Sequence, residues 1–378
     1  MTKGGRKTLY VRTKPELWEN HDGVLFELRS RSDDGKCNVW IMREDPPLRL
    51  TAAEWDTWLK LADAAGKVIG QTRINCGEED GMMFAGCYGE DGWPLKRPFG
   101  EISDTAGAVN VVVYPCGGKY CWFDPKDWFA DEDDLDCLSG GDWHYSMHQV
   151  IKKYSNEGKY IYLSSEMLED SFEESLSAIG AAMARMCLWS QKTARFRAYV
   201  PAWYSYMLSY MNERLLSPLC GTDLAGGEDA DKKLFAKAYP SGGLRPDNGT
   251  ECTPLDCLHA RTFGRWLLET QGDRIIRKII ESPGSGMPAL EKATGMKTDA
   301  LIREFALDIL GKALSGNDDS PHIFGHDARY RLMPYGCAVT YIGTTDREGE
   351  CRLNFGSMTV GRNERLYIAI KRTNDERK

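Results

Sequence analysis

With 378 residues, 42% of them hydrophobic and 28% charged, the chain has the composition of an ordinary globular protein and the length for two or three domains around a large core. Its net charge of -8, without a sizeable Lys/Arg cluster, argues against a nucleic-acid partner, because phosphate binding needs a compensating basic face. The longest apolar runs, such as Val109 to Tyr114, fall far short of the roughly 20 residues of a transmembrane helix.

No signal peptide is visible in Met1 to Thr8, a start that fits either a cytoplasmic protein or a mature exported form. Leu9 to Arg12, Val24 to Arg29 and Cys37 to Met42 alternate or run apolar and predict strands, with a turn at Asp33 to Gly35. Leu50 to Gly66 predicts a helix. Thr51 is its natural N-cap with Glu54 three residues on, Trp55, Leu59 and Ala62 share a face, and Gly66 is expected to close it. Ala108 to Tyr114 predicts a buried strand followed by a Gly-, Cys- and aromatic-rich loop. The acidic run Asp131 to Asp136 reads as a solvated loop, since it lacks the spacing and glycine pivot of an EF-hand.

Tyr160 to Leu163 predicts one more strand before a helical half, with segments at about 171–191, 200–217, 254–271, 273–282, 287–294 and 298–314, punctuated by Gly272, Gly286 and Gly295. After a polar linker around Ser315 to Ser320, strand patterns at Arg331 to Ile342, Cys351 to Phe355 and Arg365 to Lys371 predict a small all-β unit. Of the 12 cysteines, Cys116/Cys121 and Cys252/Cys257 are closely spaced in loops and are candidate disulfide pairs, whereas Cys187 reads as a small buried hydrophobe. The absence of a Cys-x-x-Cys doublet argues against a zinc ribbon.

The stretch Ser175 to Met186 has the apolar rhythm and small residues of a buried metalloprotease helix. A zinc peptidase needs two imidazoles one turn apart on one helix face, a general-base Glu beside the first, and a third ligand, commonly a Glu on a following helix. Several segments resemble the hyicolysin-type neutral zinc metallopeptidases of the gluzincin group, particularly the spirochaete forms. Ser155 to Leu163 resembles the strand before the family's metal helix, Leu176 to Met186 the metal helix, and Ala202 to Ser209 the helix bringing the third ligand. Phe263 to Asp273, Gly286 to Ala306 and Met333 to Gly336 resemble later segments, in the same order.

What the resemblance implies is an α+β, thermolysin-like body over 1–314, with a β-rich half at 1–165 and a helical half at 166–314, then a β domain at 321–378. Carried over by position, the first His falls on Ala181, the general base on Ala182, the second His on Arg185 and the third-ligand Glu on Tyr206. A permanent guanidinium at position 185 would repel Zn²⁺. The expectation is a pseudopeptidase without cofactor: a protein- or peptide-binding or structural component of the cell envelope. A cleft lined by Trp203, Tyr206, Arg185 and the strand ending at Tyr114 would hold an extended peptide by β-augmentation. The relatives work outside the cytoplasm, which points to the periplasm or cell surface. Two other readings remain open: an active hydrolase using a thiol or a relocated metal, for which His144 and His148 have i, i+4 spacing, and a purely structural assembly subunit.

Overall fold

In the computed structural model the residues described are 5–12, 21–43, 52–79, 82–88, 94–97, 107–128, 153–194, 200–222, 231, 234–235, 243–244, 253–315, 323–324, 337–344, 349–353, 356–360 and 365–371. They form a mixed α+β protein whose chain divides into two units. The first takes Met1–Val200, Leu208–Asp223 and Asp273–Ser285; the second takes Pro201–Met207, Leu224–Gly272 and Gly286–Lys378.

The first unit is built on a six-stranded sheet. Strands β1 (Arg6–Arg12), β2 (His21–Arg31) and β3 (Cys37–Met42) run antiparallel in sequence. Helix α1 (Ala52–Cys76) and a small antiparallel pair, β4 (Met82–Tyr88) with β5 (Pro94–Arg97), follow before β6 (Val109–Tyr114) joins β3 in parallel. After β7 (Cys121–Phe123) and a 3-10 turn at Pro125–Trp128, β8 (Tyr160–Ser164) enters parallel to β6 and antiparallel to β7. Among the described residues the order β1-β2-β3-β6-β8-β7 leaves β7 as a three-residue antiparallel edge.

All six residues of β6 are buried, as expected for a β-branched run covered on both faces. Alternation sorts the side chains. Val112, Tyr114, Tyr160 and Tyr162 join Leu9, Val11, Phe26 and Trp40 in an aromatic core on one face. The other face receives α1 and the later helix α3 (Phe172–Trp189). Asn110, in the middle of β6, is satisfied: its Oδ1 accepts from Asn38 Nδ2 at 3.1 Å and Trp40 Nε1 at 2.9 Å.

Helix α1 does not end at Gly66 but runs ten residues further, to Cys76. The reason is contact rather than termination. A Cβ on Gly66 would lie 2.8 Å from Ser32 Cβ, so this glycine lets the β2–β3 turn approach the helix. The actual stop is Gly77, whose φ of 88° is open to glycine and whose N–H caps the Arg73 carbonyl at 2.9 Å. Thr51, the expected N-cap, lies outside the described residues.

Buried charges pin this unit together. Glu79 is fully buried, receiving Arg73 through both Nε and Nη2 and Lys159 Nζ at 3.1 Å. Burial alone would raise its pKa, but the Arg73 hydrogen bonds and the Lys159 charge outweigh it and hold the carboxyl below its usual range. Asp127, equally buried, accepts from Lys126 Nζ at 2.5 Å, Asn156 N at 2.8 Å and the Tyr162 hydroxyl. Asn156 then ties this cluster to β1, accepting from Tyr10 N at 2.8 Å and donating to Tyr10 O at 2.9 Å, as a neighbouring strand would.

The expected helical segments run close to expectation, α3, α4 (Ala202–Cys220), α5 (Pro254–Gln271), α6 (Ile275–Glu281), α7 (Gly286–Thr294) and α8 (Thr298–Ser315), and a short helix that the sequence did not suggest, α2 (Ser165–Asp170), precedes them. Gly272 and Gly295 do end helices, each at positive φ, whereas Gly286 opens α7. In the second unit α5 starts from a capping box between Thr253 and Asp256, and its Phe263 and Trp266 pack against Phe305 of α8. Helix α8 lies on strands β10 (Cys337–Thr344) and β13 (Arg365–Lys371). Strand β10 pairs antiparallel with β13 and parallel with β9 (Ile323–Phe324), while β11 (Gly349–Leu353) pairs with β12 (Gly356–Val360). Strand β10 falls within the Arg331 to Ile342 pattern from Cys337 on, and Arg331 and Leu332 lie outside the described residues. Met333 to Gly336 lie outside the described residues.

Candidate functional site

Helix α3 is positioned from both ends. Ser171 caps its start, the hydroxyl accepting from Glu174 N at 3.1 Å, with Glu173 and Glu174 favourably placed at the positive end of the helix dipole. Its far end passes into a π-helical turn at Ser190–Ala194, where the fully buried Lys192 donates to the Ile279 carbonyl at 2.7 Å and to that of Ser282. Between these anchors the helix is interior, and Gly180 is one reason. A Cβ there would come within 2.4 Å of Leu216 Cδ1 on α4 and 3.2 Å of Val68 Cγ1 on α1. The buried Asn212 of α4 seals this approach, donating to the Gly180 carbonyl at 3.1 Å and Thr72 Oγ1 at 3.2 Å and accepting from Asn75 at 3.0 Å.

One stripe of α3 is less buried. Ala178, Ala181 and Arg185 follow one another at spacings of three and four residues, so they share a face. Ala182, Met183 and Ala184 are interior, at 1%, 0% and 2% exposure. The two positions that the resemblance assigns to histidine ligands, Ala181 and Arg185, are therefore one turn apart on one face, where Arg185 is partly exposed and Ala181 is buried. The position it assigns to the general base, Ala182, is buried.

Arg185 donates from Nε to Ser209 Oγ on α4 at 3.3 Å. Among the described residues no carboxylate lies within ion-pair distance of its guanidinium. On the edge strand β7, Cys121 is half-buried. Burial pushes its thiol up to about 12, with the Arg185 charge pulling it down and Glu213 pushing it up. A thiol in that range is protonated at neutral pH and is no nucleophile.

Tyr206, at the expected third-ligand position, belongs by its place in α4 to the second unit and has its own partner there. Its hydroxyl accepts from Arg261 Nη1 at 3.1 Å. The Arg261 guanidinium lies 5.8 Å from its ring centre and pairs with Asp231 at 2.8 Å. The residues expected to bear a zinc ion do not suit one: a methyl group, a cation and a phenol with its oxygen already engaged. Among the described residues no group of three or more His, Cys, Asp or Glu side chains is placed to hold a metal.

The cleft drawn from the sequence needs correction. Trp203 is 2% exposed and Tyr114 3% exposed; both are core side chains, Tyr114 in the aromatic face of the sheet and Trp203 beside Tyr204 and Gly286. An aromatic residue at helical or strand spacing packs inward when its neighbours are apolar, and these two do. Arg185 and Tyr206 retain partial exposure. His259, two residues beyond Cys257, is buried between Phe235 and Phe305.

Cys116, on the loop before β7, has its Sγ 3.9 Å from the Gly118 carbonyl, and Cys121 carries a thiol, so the two are not joined. Cys257 sits on α5, while Cys252, His144, His148 and the acidic run Asp131 to Asp136 lie outside the described residues. Sequence reasoning missed the buried charges Glu79, Asp124, Lys126, Asp127, Lys159 and Lys192. The available signal was local: Lys126 and Asp127 stand between Trp122-Phe123 and Trp128, and Lys159 abuts an apolar strand. The chain matches no family model and no curated protein.

Proposed function

We propose that the protein is a non-catalytic relative of zinc peptidases that binds an extended peptide or protein segment. The observation that carries this reading is one face of α3, where the positions that the resemblance assigns to metal ligands hold the buried Ala181 and, one turn on, the partly exposed Arg185 beside Ser209 and Cys121. The order of elements supports it. Edge strand β7, its neighbour β8, the short α2, the buried α3 and then α4 follow one another, so that a β-rich stretch passes into the two helices that the resemblance assigns to the metal and the third ligand. Strand β7, at the end of the sheet, offers an edge of the kind extended peptides extend. A role in the cell envelope rests on the resemblance alone. No helix of the described residues is long and apolar enough to cross a membrane.

Elemental analysis of the purified chain after zinc exposure and dialysis tests the reading, with an expected content below about a tenth of an equivalent. One tightly held equivalent would sink it. A complementary variant tests the helix register. Ala181→His with Arg185→His places two imidazoles one turn apart on the same stripe, and calorimetry is expected to show zinc binding absent from wild type. If the double variant binds no zinc while remaining folded, the two positions do not share an accessible face.

A further inference from the structure

We infer that Arg185 is the receptor for a carboxylate of the bound partner, seated on the stripe where the resemblance would place a metal. This rests on the peptide-binding reading above and names the chemistry that the site recognises.

Arg185 is the only charged residue of α3 beyond Glu174, in a helix whose other residues from Ser175 to Leu188 are small, apolar or hydroxyl-bearing. A half-buried guanidinium carries a desolvation cost that a protein ordinarily offsets with an acid. Here the described residues supply only the Ser209 hydroxyl, which takes Nε and leaves the two terminal nitrogens of the fork without a carboxylate. That division of labour is the one a receptor needs: one nitrogen orients the side chain and the others present a planar pair of donors. Such a pair matches a carboxylate through two parallel hydrogen bonds, which an ammonium cannot reproduce. One turn back, the buried Ala181 adds nothing bulkier than a methyl group to this face of the helix. Edge strand β7 runs beside it, with Cys121 close enough to feel the Arg185 charge.

Two sources offer that chemistry, the C-terminal carboxylate of a peptide and an internal Asp or Glu side chain. The test uses the full chain and three probes: an acetylated apolar hexapeptide with a free C-terminus, its C-terminally amidated form, and the amidated form with one central Glu. Binding is read by fluorescence anisotropy. The free-carboxylate or Glu-bearing peptide is expected to bind at least tenfold tighter than the neutral one, and whichever does so identifies the source. Arg185→Met is expected to erase that difference while leaving Tm unchanged or higher, and Arg185→Lys to keep only part of it. Equal binding of all three peptides, or a preference that survives in Arg185→Met, overturns the inference while leaving the peptide-binding reading intact. An independent arm titrates sodium acetate against sodium chloride and follows arginine Nε–Hε resonances. A carboxylate-specific shift of the one resonance missing in Arg185→Met supports the assignment even if none of the peptides binds. No such shift overturns it.

Discussion

Glu79 is fully buried yet held ionised, because Arg73 and Lys159 supply charge and hydrogen bonds that exceed its desolvation. Its folded pKa therefore lies below the unfolded value of about 4.3. A depressed carboxyl contributes stability that is complete above the unfolded pKa and is lost as pH falls through the folded one. Glu79→Gln strands two cations at a buried site and is expected to cost about 3 kcal/mol at neutral pH. The gap between wild type and variant in urea unfolding should narrow as pH drops below about 4.3. A gap that stays constant from neutral pH to pH 3 would show that the carboxyl is not depressed. Arg185 stands in contrast at the same scale: Glu79 is enclosed by its partners, whereas Arg185 keeps a side open.

Two glycines on α1, four residues apart, make an element-scale prediction with opposite signs. At Gly66 an added Cβ meets the Cβ of the buried Ser32, which cannot swing away. Gly66→Ala is expected to destabilise by about 1–2 kcal/mol despite the helix propensity gained. At Gly70 the nearest atom is Lys36 Nζ, the tip of a half-exposed, flexible side chain. Gly70→Ala should be neutral or stabilising by up to about 1 kcal/mol. Thermal unfolding of both variants checks the pair, and a loss of equal size at both positions would contradict the packing described. These glycines also show why boundaries are hard to read from sequence. Gly66 looks like a helix stop when only its intrinsic preference is considered, and only the third dimension shows that it is a contact. Helices α3, α4, α5 and α8 were legible because their apolar periodicity extends over many turns. Strand β7 was not, since three residues carry no periodicity, and the buried ion clusters were not, since a charged residue scores as surface until its partners are known. Of the candidate site, the helix that places Ala181 and Arg185 one turn apart was legible from the sequence. The burial of Trp203 and Tyr114 was not, because aromatic spacing alone fits a cleft wall and a core equally well.

At the scale of the molecule, Cys37, Cys76, Cys187 and Cys220 are buried thiols, and burial pushes each of them up. Native protein treated with iodoacetamide at about pH 8 should leave Cys37, Cys76 and Cys187 unmodified until it unfolds. Peptide mapping that finds any of the three labelled as fast as a free thiol would contradict their placement. The first unit is also discontinuous, since α6 belongs to it although the second unit's stretch Leu224–Gly272 precedes α6 in the chain. During synthesis, roughly 3 to 10 s separate the emergence of Asp223 from that of Asp273. Throughout that interval α1 lacks one of the helices it will pack against, α6, and the Lys192 ammonium lacks the carbonyls of Ile279 and Ser282 that will receive it. The nascent chain thus has to carry an unfinished domain while the ribosome builds another, a window in which chaperones and proteases compete for the same exposed surface.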